Sequence, residues 1–204
     1  MKIALIDYGA GNLHSVENCL RSLDLEPFLV SSPDQLKGAT HLILPGVGSF
    51  GDCMDQLGSR GLIEPIREWV KAGKPYFGIC LGYQILFNSS EESPGVEGLS
   101  LIQGRVRRFN EKPGLKIPHM GWNAAKPVNS RERMWEGMGD EPYFYFVHSY
   151  FPEPADTSVV AARTQYGSSE FAAAVEQGSV MACQFHPEKS QAAGIRLISN
   201  FLEI

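Results

Sequence analysis

Residues 2–6 form a short apolar run that ends in Asp7-Tyr8-Gly9-Ala10-Gly11-Asn12. Apolar positions then recur at helical spacing through Val16, Cys19, Leu20 and Leu23. A strand, a glycine-rich turn and a helix make the opening unit of an α/β sheet. Residues 27–30 read as a second strand and residues 41–44 as a third, which runs straight into Pro45-Gly46-Val47-Gly48-Ser49-Phe50. Residues 57–70 carry a helical pattern closed by Gly73-Lys74-Pro75. A further apolar run then passes through Gly78-Ile79-Cys80-Leu81-Gly82 and continues as an amphipathic segment to Phe87.

The period changes in the second half. Residues 88–98 are polar and turn-rich, which predicts an exposed loop with solvated carboxylates. Polarity alternates at 105–109 and through much of 141–150 and 158–175, as in strands, several of them antiparallel, added to the α/β core. Arg105, Arg107 and Arg108 fit a solvated strand face better than a phosphate patch. Residues 179–185 read as a buried strand, and residues 192–201 as an amphipathic helix packed back on the sheet.

A chain of 204 residues can be carried by one core, so a single domain over 1–204 is expected. With 43% hydrophobic and 20% charged residues and a net charge of −5, nothing points to nucleic acid or an anionic membrane as partner. No stretch approaches the roughly 18 apolar residues of a membrane span. Asp7 arrives too early for the apolar core of a signal peptide, which argues for the cytoplasm. Four cysteines, Cys19, Cys53, Cys80 and Cys183, contain no C-x-x-C pair and no metal-like cluster with histidine, so thiols and no metal are expected. Gly9-x-Gly11 lacks the third glycine of a dinucleotide fingerprint and a clear acidic partner downstream, so no nucleotide cofactor is expected. A turn that positions Asn12 near the carboxyl end of a strand is the better reading.

The chemistry is concentrated at Cys80. A cysteine between glycines at a strand-to-helix turn is the sulfur form of the G-x-S-x-G nucleophile elbow. The glycines let strand and helix approach closely, and the helix N-terminus favours thiolate over thiol. The N–H of Leu81 is then placed to stabilise an oxyanion. Taken alone, the motif also suits a small buried hydrophobe. The Gly46-Val47-Gly48 turn reads as a tight βα loop by itself; beside a cysteine elbow it becomes a second candidate oxyanion donor.

The downstream half of the site is His186-Pro187-Glu188, which follows the 179–185 strand. In extended chain, a histidine and a carboxylate two apart project from one face, and Pro187 fixes the backbone between them. Imidazole as base, with a carboxylate holding its Nδ1–H, completes a Cys-His-Glu triad. Two polar-aromatic segments exceed what a core requires: Pro118-His119-Met120-Gly121-Trp122-Asn123 and Tyr143-Phe144-Tyr145-Phe146-Val147-His148-Ser149-Tyr150. Trp122, Tyr145, His148, Ser149 and Tyr150 suit a site or a contact surface, Phe144 and Phe146 a core, and His119 a hydrogen-bonded structural role.

Gly78-Ile79-Cys80-Leu81-Gly82-Tyr83-Gln84 together with Gln184-Phe185-His186-Pro187-Glu188 resembles the triad (class I) glutamine amidotransferases. With Pro45-Gly46-Val47-Gly48, Pro118-His119-Met120-Gly121-Trp122-Asn123 and Tyr145-Phe146-Val147-His148-Ser149-Tyr150, the chain resembles the glutaminase subunits of imidazole glycerol phosphate synthase, end to end. Tyr83 stands where this family more often has methionine, which bears on packing around the elbow. The resemblance implies an α/β fold, a three-layer flavodoxin-like mixed sheet flanked by helices, with added antiparallel strands in the C-terminal half. It implies hydrolysis of glutamine to glutamate and ammonia through a γ-glutamyl thioester on Cys80. The ammonia would pass to a separate (βα)8-barrel cyclase subunit, in a heterodimer, that makes imidazole glycerol phosphate and AICAR. Cys80, His186 and Glu188 would be catalytic, and Val47, Gly48 and Leu81 would form the oxyanion hole. Gly46, Gln84, His148, Ser149 and Tyr150 would hold glutamine, and Asn12, Trp122, Tyr145 and Lys189 would meet the cyclase. The Val47 peptide is expected to keep its N–H off the site until the partner is loaded. Rival readings are a triad glutaminase of pyridoxal phosphate, purine or anthranilate synthesis, a cysteine-elbow peptidase or chaperone, and a silent regulatory subunit, which the intact triad disfavours.

Overall fold

The structure is a computed structural model that describes residues 1–10, 12–111, 113–128 and 133–204. Gly11, part of the turn noted above, lies outside the described residues. The elements run β1 (Ile3–Ile6), α1 (Leu13–Arg21), β2 (Phe28–Val30), β3 (His41–Gly46), α2 (Phe50–Ser59), α3 (Ile63–Lys71), β4 (Tyr76–Cys80), α4 (Leu81–Gln84) and β5 (Ser89–Ser90). There follow β6 (Gly104–Arg108), β7 (His119–Ala124), β8 (Lys126–Pro127), β9 (Tyr143–His148), β10 (Tyr150–Pro154), β11 (Val160–Tyr166), β12 (Ser169–Gln177), β13 (Val180–Cys183) and α5 (Gln191–Leu202).

Among the described residues the main sheet has the order β2-β1-β3-β4-β13-β12-β11-β8. The pairs from β2 to β13 are parallel, and those from β13 to β8 antiparallel. Alternation along each buried strand separates two cores. Ile3, Leu5, Ile43, Phe77 and Ile79 face α1 and α5, whereas Ala4, Ile6, Leu42, Leu44 and Tyr76 face α2 and α3. Helices on both faces of a mixed sheet give the expected three layers. Smaller sheets, β10-β6-β5 and β7-β9, extend the second half.

Two expectations change. Residues 57–70 are not one helix: α2 starts at Phe50, capped by the Ser49 hydroxyl accepting from the Asp52 N–H, and ends at Ser59, with Arg60 as its C-cap and Gly61 next. Gly61 takes φ +67°, with Leu62 N–H on the Leu57 carbonyl and Gly61 N–H on that of Gly58. That is a Schellman ending, which an apolar periodicity running through it conceals. Nor is 88–98 a free loop. Glu92 Oε2 accepts from Phe50 N–H at 2.7 Å and Ser93 Oγ from Gly51 N–H at 2.9 Å, so the segment covers the N-terminus of α2. The unpaired donors of that first turn attract a carboxylate that sequence alone leaves in water. The arginines of β6 do sit on a solvated face, where Arg105 and Arg107 pair with Glu153 at 3.1 and 3.0 Å.

Candidate active site

Cys80 ends β4, beside β13 on one side and β3 on the other, with φ +55° and ψ −104°. A Cβ on Gly78 would lie 2.5 Å from the Gly82 carbonyl oxygen, and one on Gly82 would run into the Leu44 carbonyl. Those two absent side chains let the chain double back over the sheet edge. The helix after the elbow is one turn, Leu81–Gln84, and wholly buried, not the amphipathic helix the sequence suggests. A single turn has little macrodipole, so polarisation of the sulfur falls to side chains. Tyr83 is accommodated: its ring packs edge-on to Phe87 and its hydroxyl donates to the Ala172 carbonyl at 3.3 Å.

His186 and Glu188 meet as expected, by a different backbone. His186 is extended, but Pro187–Lys189 is a 3-10 turn. Proline's fixed φ suits the first position of such a turn, which folds the carboxylate back on the ring. His186 Nδ1 and Glu188 Oε1 lie 2.9 Å apart, with both side chains almost fully buried. His186 opens onto the same cavity as Cys80, with its Nδ1 taken by Glu188 and Nε2 left to face the sulfur. Burial alone would lower the His186 pKa. The charge of Cys80 and its hydrogen bond to the ring, followed by the hydrogen bond to Glu188 and the charge of that carboxylate, outweigh it, holding the imidazolium up to about 10. Glu188 stands behind the ring, off the cavity.

The cavity, about 310 Å³, is lined by Val47 and Gly48 from the turn after β3 and by Cys80, Leu81 and Gln84 from the elbow. His148, Ser149 and Tyr150 from the β9–β10 junction and His186 close it. Gly46, expected to touch substrate, is absent from the lining; a Cβ there would meet Leu81 Cβ and Tyr8 Oη at 2.7 Å, so its part is close packing. Gln84 is committed internally: its Nε2 donates to Tyr150 O and Gln184 Oε1, each at 3.1 Å. His148 Nδ1 bonds the Tyr150 carbonyl at 2.8 Å, and its Nε2 lies 3.0 Å from His119 Nδ1. Burial holds both rings neutral, His148 at about 3 and His119 at about 4. A carbonyl only accepts, so His148 carries its proton on Nδ1 and takes the one on His119 Nδ1.

Val47 N–H donates to Tyr8 Oη at 3.2 Å, and that hydroxyl also reaches the Val47 carbonyl at 3.3 Å. Burial raises the Tyr8 pKa, so the phenol stays neutral. Gly48 takes φ +102°, and a Cβ there would meet no described atom within 4 Å. Trp122 and Tyr145 stack edge to face at 6.3 Å on the β7–β9 ribbon, and Trp122 is 48% exposed. Lys189 is exposed on the histidine turn, and Asn12 precedes α1 without capping it by its side chain. The sequence reading missed Glu92, the cavity's carboxylate among the described residues, and Gln184, whose Nε2 is 3.6 Å from Cys80 Sγ. It also missed Tyr8. Gln184 stands in the quoted motif two residues before His186, but its contact with the sulfur is visible only in the fold; Glu92 has no recognisable spacing, and only the fold brings it to the cavity.

No helix of the described residues is long and apolar enough to cross a membrane. The family model for class-I glutamine amidotransferases matches residues 4–204. The imidazole glycerol phosphate synthase subunit HisH of Methanothermobacter thermautotrophicus is 50% identical over 202 residues, covering 99% of this chain and 98% of that protein. The subunit of that name from Synechococcus elongatus is 44% identical over 201 residues, 98% of this chain and 92% of that protein. Among solved structures, a glutamine amidotransferase superposes with a TM-score of 0.77 at 24% identity, over 98% of this chain and 97% of that one. PurLQS from Thermotoga maritima gives 0.78 at 21% identity over 99% and 97%, a likeness of fold. With a cysteine elbow, a buried histidine–glutamate pair and full-length relatives in agreement, the chain belongs to the class-I glutamine amidotransferases, in the family of the HisH subunits of imidazole glycerol phosphate synthase.

Proposed function

We propose that this chain, residues 1–204 as one glutaminase domain, hydrolyses glutamine and delivers ammonia to a (βα)8-barrel cyclase subunit in a heterodimer that makes imidazole glycerol phosphate and AICAR. The observation that carries the reading is the buried His186–Glu188 pair at 2.9 Å opening onto the cavity of a strained Cys80. Cys80 as thiolate attacks the side-chain carbonyl carbon of glutamine. The C–N bond breaks as His186 Nε2 gives its proton to the leaving nitrogen, and ammonia departs. Water, deprotonated by His186, then opens the γ-glutamyl thioester and releases glutamate. Glu188 keeps the ring oriented through Nδ1 throughout.

Leu81 N–H, following the nucleophile, and the Val47-Gly48 turn are the oxyanion donors. Val47 N–H is held by Tyr8, which supports a resting state with an incomplete hole that a loaded partner completes. Ser149 and Tyr150 bind the substrate's amino-acid end with Glu92, whose carboxylate suits the α-ammonium; Gln84 and His148 shape that wall through their shared Tyr150 carbonyl. Trp122, Tyr145, Lys189 and Asn12 form the cyclase contact, supported by the exposed Trp122 and by relatives named as subunits. Four free cysteines suit the cytoplasm.

Ammonia release from glutamine tests this, with the chain alone, then with the cyclase and its nucleotide ligand, and with Cys80→Ala. Stimulation that vanishes in the variant is expected. Full turnover without a partner, or none under any condition, overturns the reading.

A further inference from the structure

Beyond the triad, the sulfur has a second neighbour. Gln184 closes the strand run leading to His186 and is wholly buried; its backbone N–H is tied to the Ala173 carbonyl at 2.8 Å. Its Nε2 lies 3.6 Å from Cys80 Sγ, within reach of an N–H···S hydrogen bond. A side-chain amide can be turned end for end, so which end faces the sulfur needs an argument of its own.

The far end of the network supplies it. The Tyr150 carbonyl oxygen can only accept, so the Gln84 atom 3.1 Å from it is nitrogen. That nitrogen has a second hydrogen, and it meets Gln184 at 3.1 Å, so the facing Gln184 atom is oxygen. Its other end, toward Cys80, must therefore be the NH2. Turning either amide would oppose two acceptors or two donors in a buried site, which costs about 1–3 kcal/mol for each unpaired group.

We infer that Gln184 is a further catalytic residue, an uncharged donor that holds Cys80 as thiolate, its direction set by Gln84 and the Tyr150 carbonyl. The inference rests on Cys80 being the nucleophile. A donor on this side stabilises negative charge on sulfur without competing for the proton that His186 must move. His186 supplies the base and Gln184 the fixed dipole.

The experiment follows iodoacetamide alkylation of Cys80 by peptide mapping across acid to alkaline pH, in the whole chain and in Gln184→Met and Gln184→Glu. At neutral pH the methionine variant should alkylate severalfold more slowly than wild type, with the rise of the rate profile moved to higher pH and an alkaline plateau at or above that of wild type, as the loss of one charge-assisted hydrogen bond to the thiolate requires. The glutamate variant should be slower still, because its carboxylate repels the thiolate. A residue that only filled space would leave the pH profile of the methionine variant unchanged, and that result overturns the inference. If thermal melting shows the methionine variant unfolded, the glutamate variant decides, and a neutral-pH rate equal to wild type or faster overturns it. Mass detection of a γ-glutamyl adduct on wild-type Cys80 tests the underlying glutaminase reading separately.

Discussion

Tyr145 and His186 are bonded main chain to main chain. His186 N–H donates to the Tyr145 carbonyl at 2.9 Å, and Tyr145 N–H donates to Ser190 Oγ at 3.0 Å. Ser190 in turn donates to the His186 carbonyl at 2.6 Å, closing a ring between β9 and the histidine turn. Displacement of β9 at Tyr145 therefore carries the imidazole with it. Ser190→Ala opens this ring and leaves the Tyr145 N–H unpaired, at about 1–3 kcal/mol, while the His186 carbonyl keeps the Lys189 N–H. Urea unfolding should show that loss, and glutamine turnover should fall severalfold with little change in KM.

The elbow glycines differ in kind from the surface ones. Gly82→Ala drives a methyl group into the Leu44 carbonyl, which no rotamer relieves. We expect a loss of about 3 kcal/mol or more. Gly95→Ala, at φ +86° with open space around it, should cost only the left-handed backbone penalty, about 1–2 kcal/mol. Paired denaturation curves of the two variants measure the contrast.

The buried histidines make stability fall in acid. His148 and His119 have folded pKa values of about 3 and about 4, below the ordinary 6.5, so the unfolded chain binds more protons between those limits. Their contribution is complete above about 6.5 and is lost as pH falls toward 4 and 3. His186, raised to about 10, has the opposite sign: its contribution is complete below about 6.5 and is lost as pH rises through 10. Urea midpoints measured in mild acid should drop less steeply in His148→Gln than in wild type.

Glu92→Gln keeps the shape of the cavity and removes its carboxylate. If that group receives the α-ammonium of glutamine, KM should rise about tenfold or more, the worth of one charge-assisted bond, with a smaller effect on kcat. Steady-state kinetics with the partner present separates the two. The fold should lose at most about 1 kcal/mol from the N-terminus of α2.

Gly48→Val addresses the oxyanion turn. At φ +102° a β-branched residue is strained, so the Val47 peptide should settle in one orientation. Partner-dependent stimulation should then disappear. Normal stimulation in this variant would contradict a reorienting peptide.

The sequence by itself determined the α/β alternation, the elbow at Cys80, the histidine–carboxylate pair and the family. Each is local: apolar runs of strand length, glycines flanking one cysteine, a proline between two partners. It misjudged what depends on atoms far away in the chain. The 57–70 periodicity hid a glycine helix ending, because side-chain pattern does not report φ. Glu92 looked solvated, because its partner, the Phe50 N–H, lies 42 residues back. The segment after Cys80 has an amphipathic pattern, yet it forms a short, buried helix, since the covering β10 and β13 arrive only in the second half. The polarity of the Gln84–Gln184 pair, set at the Tyr150 carbonyl, and the seat of Val47 N–H on Tyr8 are tertiary decisions. A buried donor takes whichever acceptor the fold presents, and that choice is made across the chain, not along it.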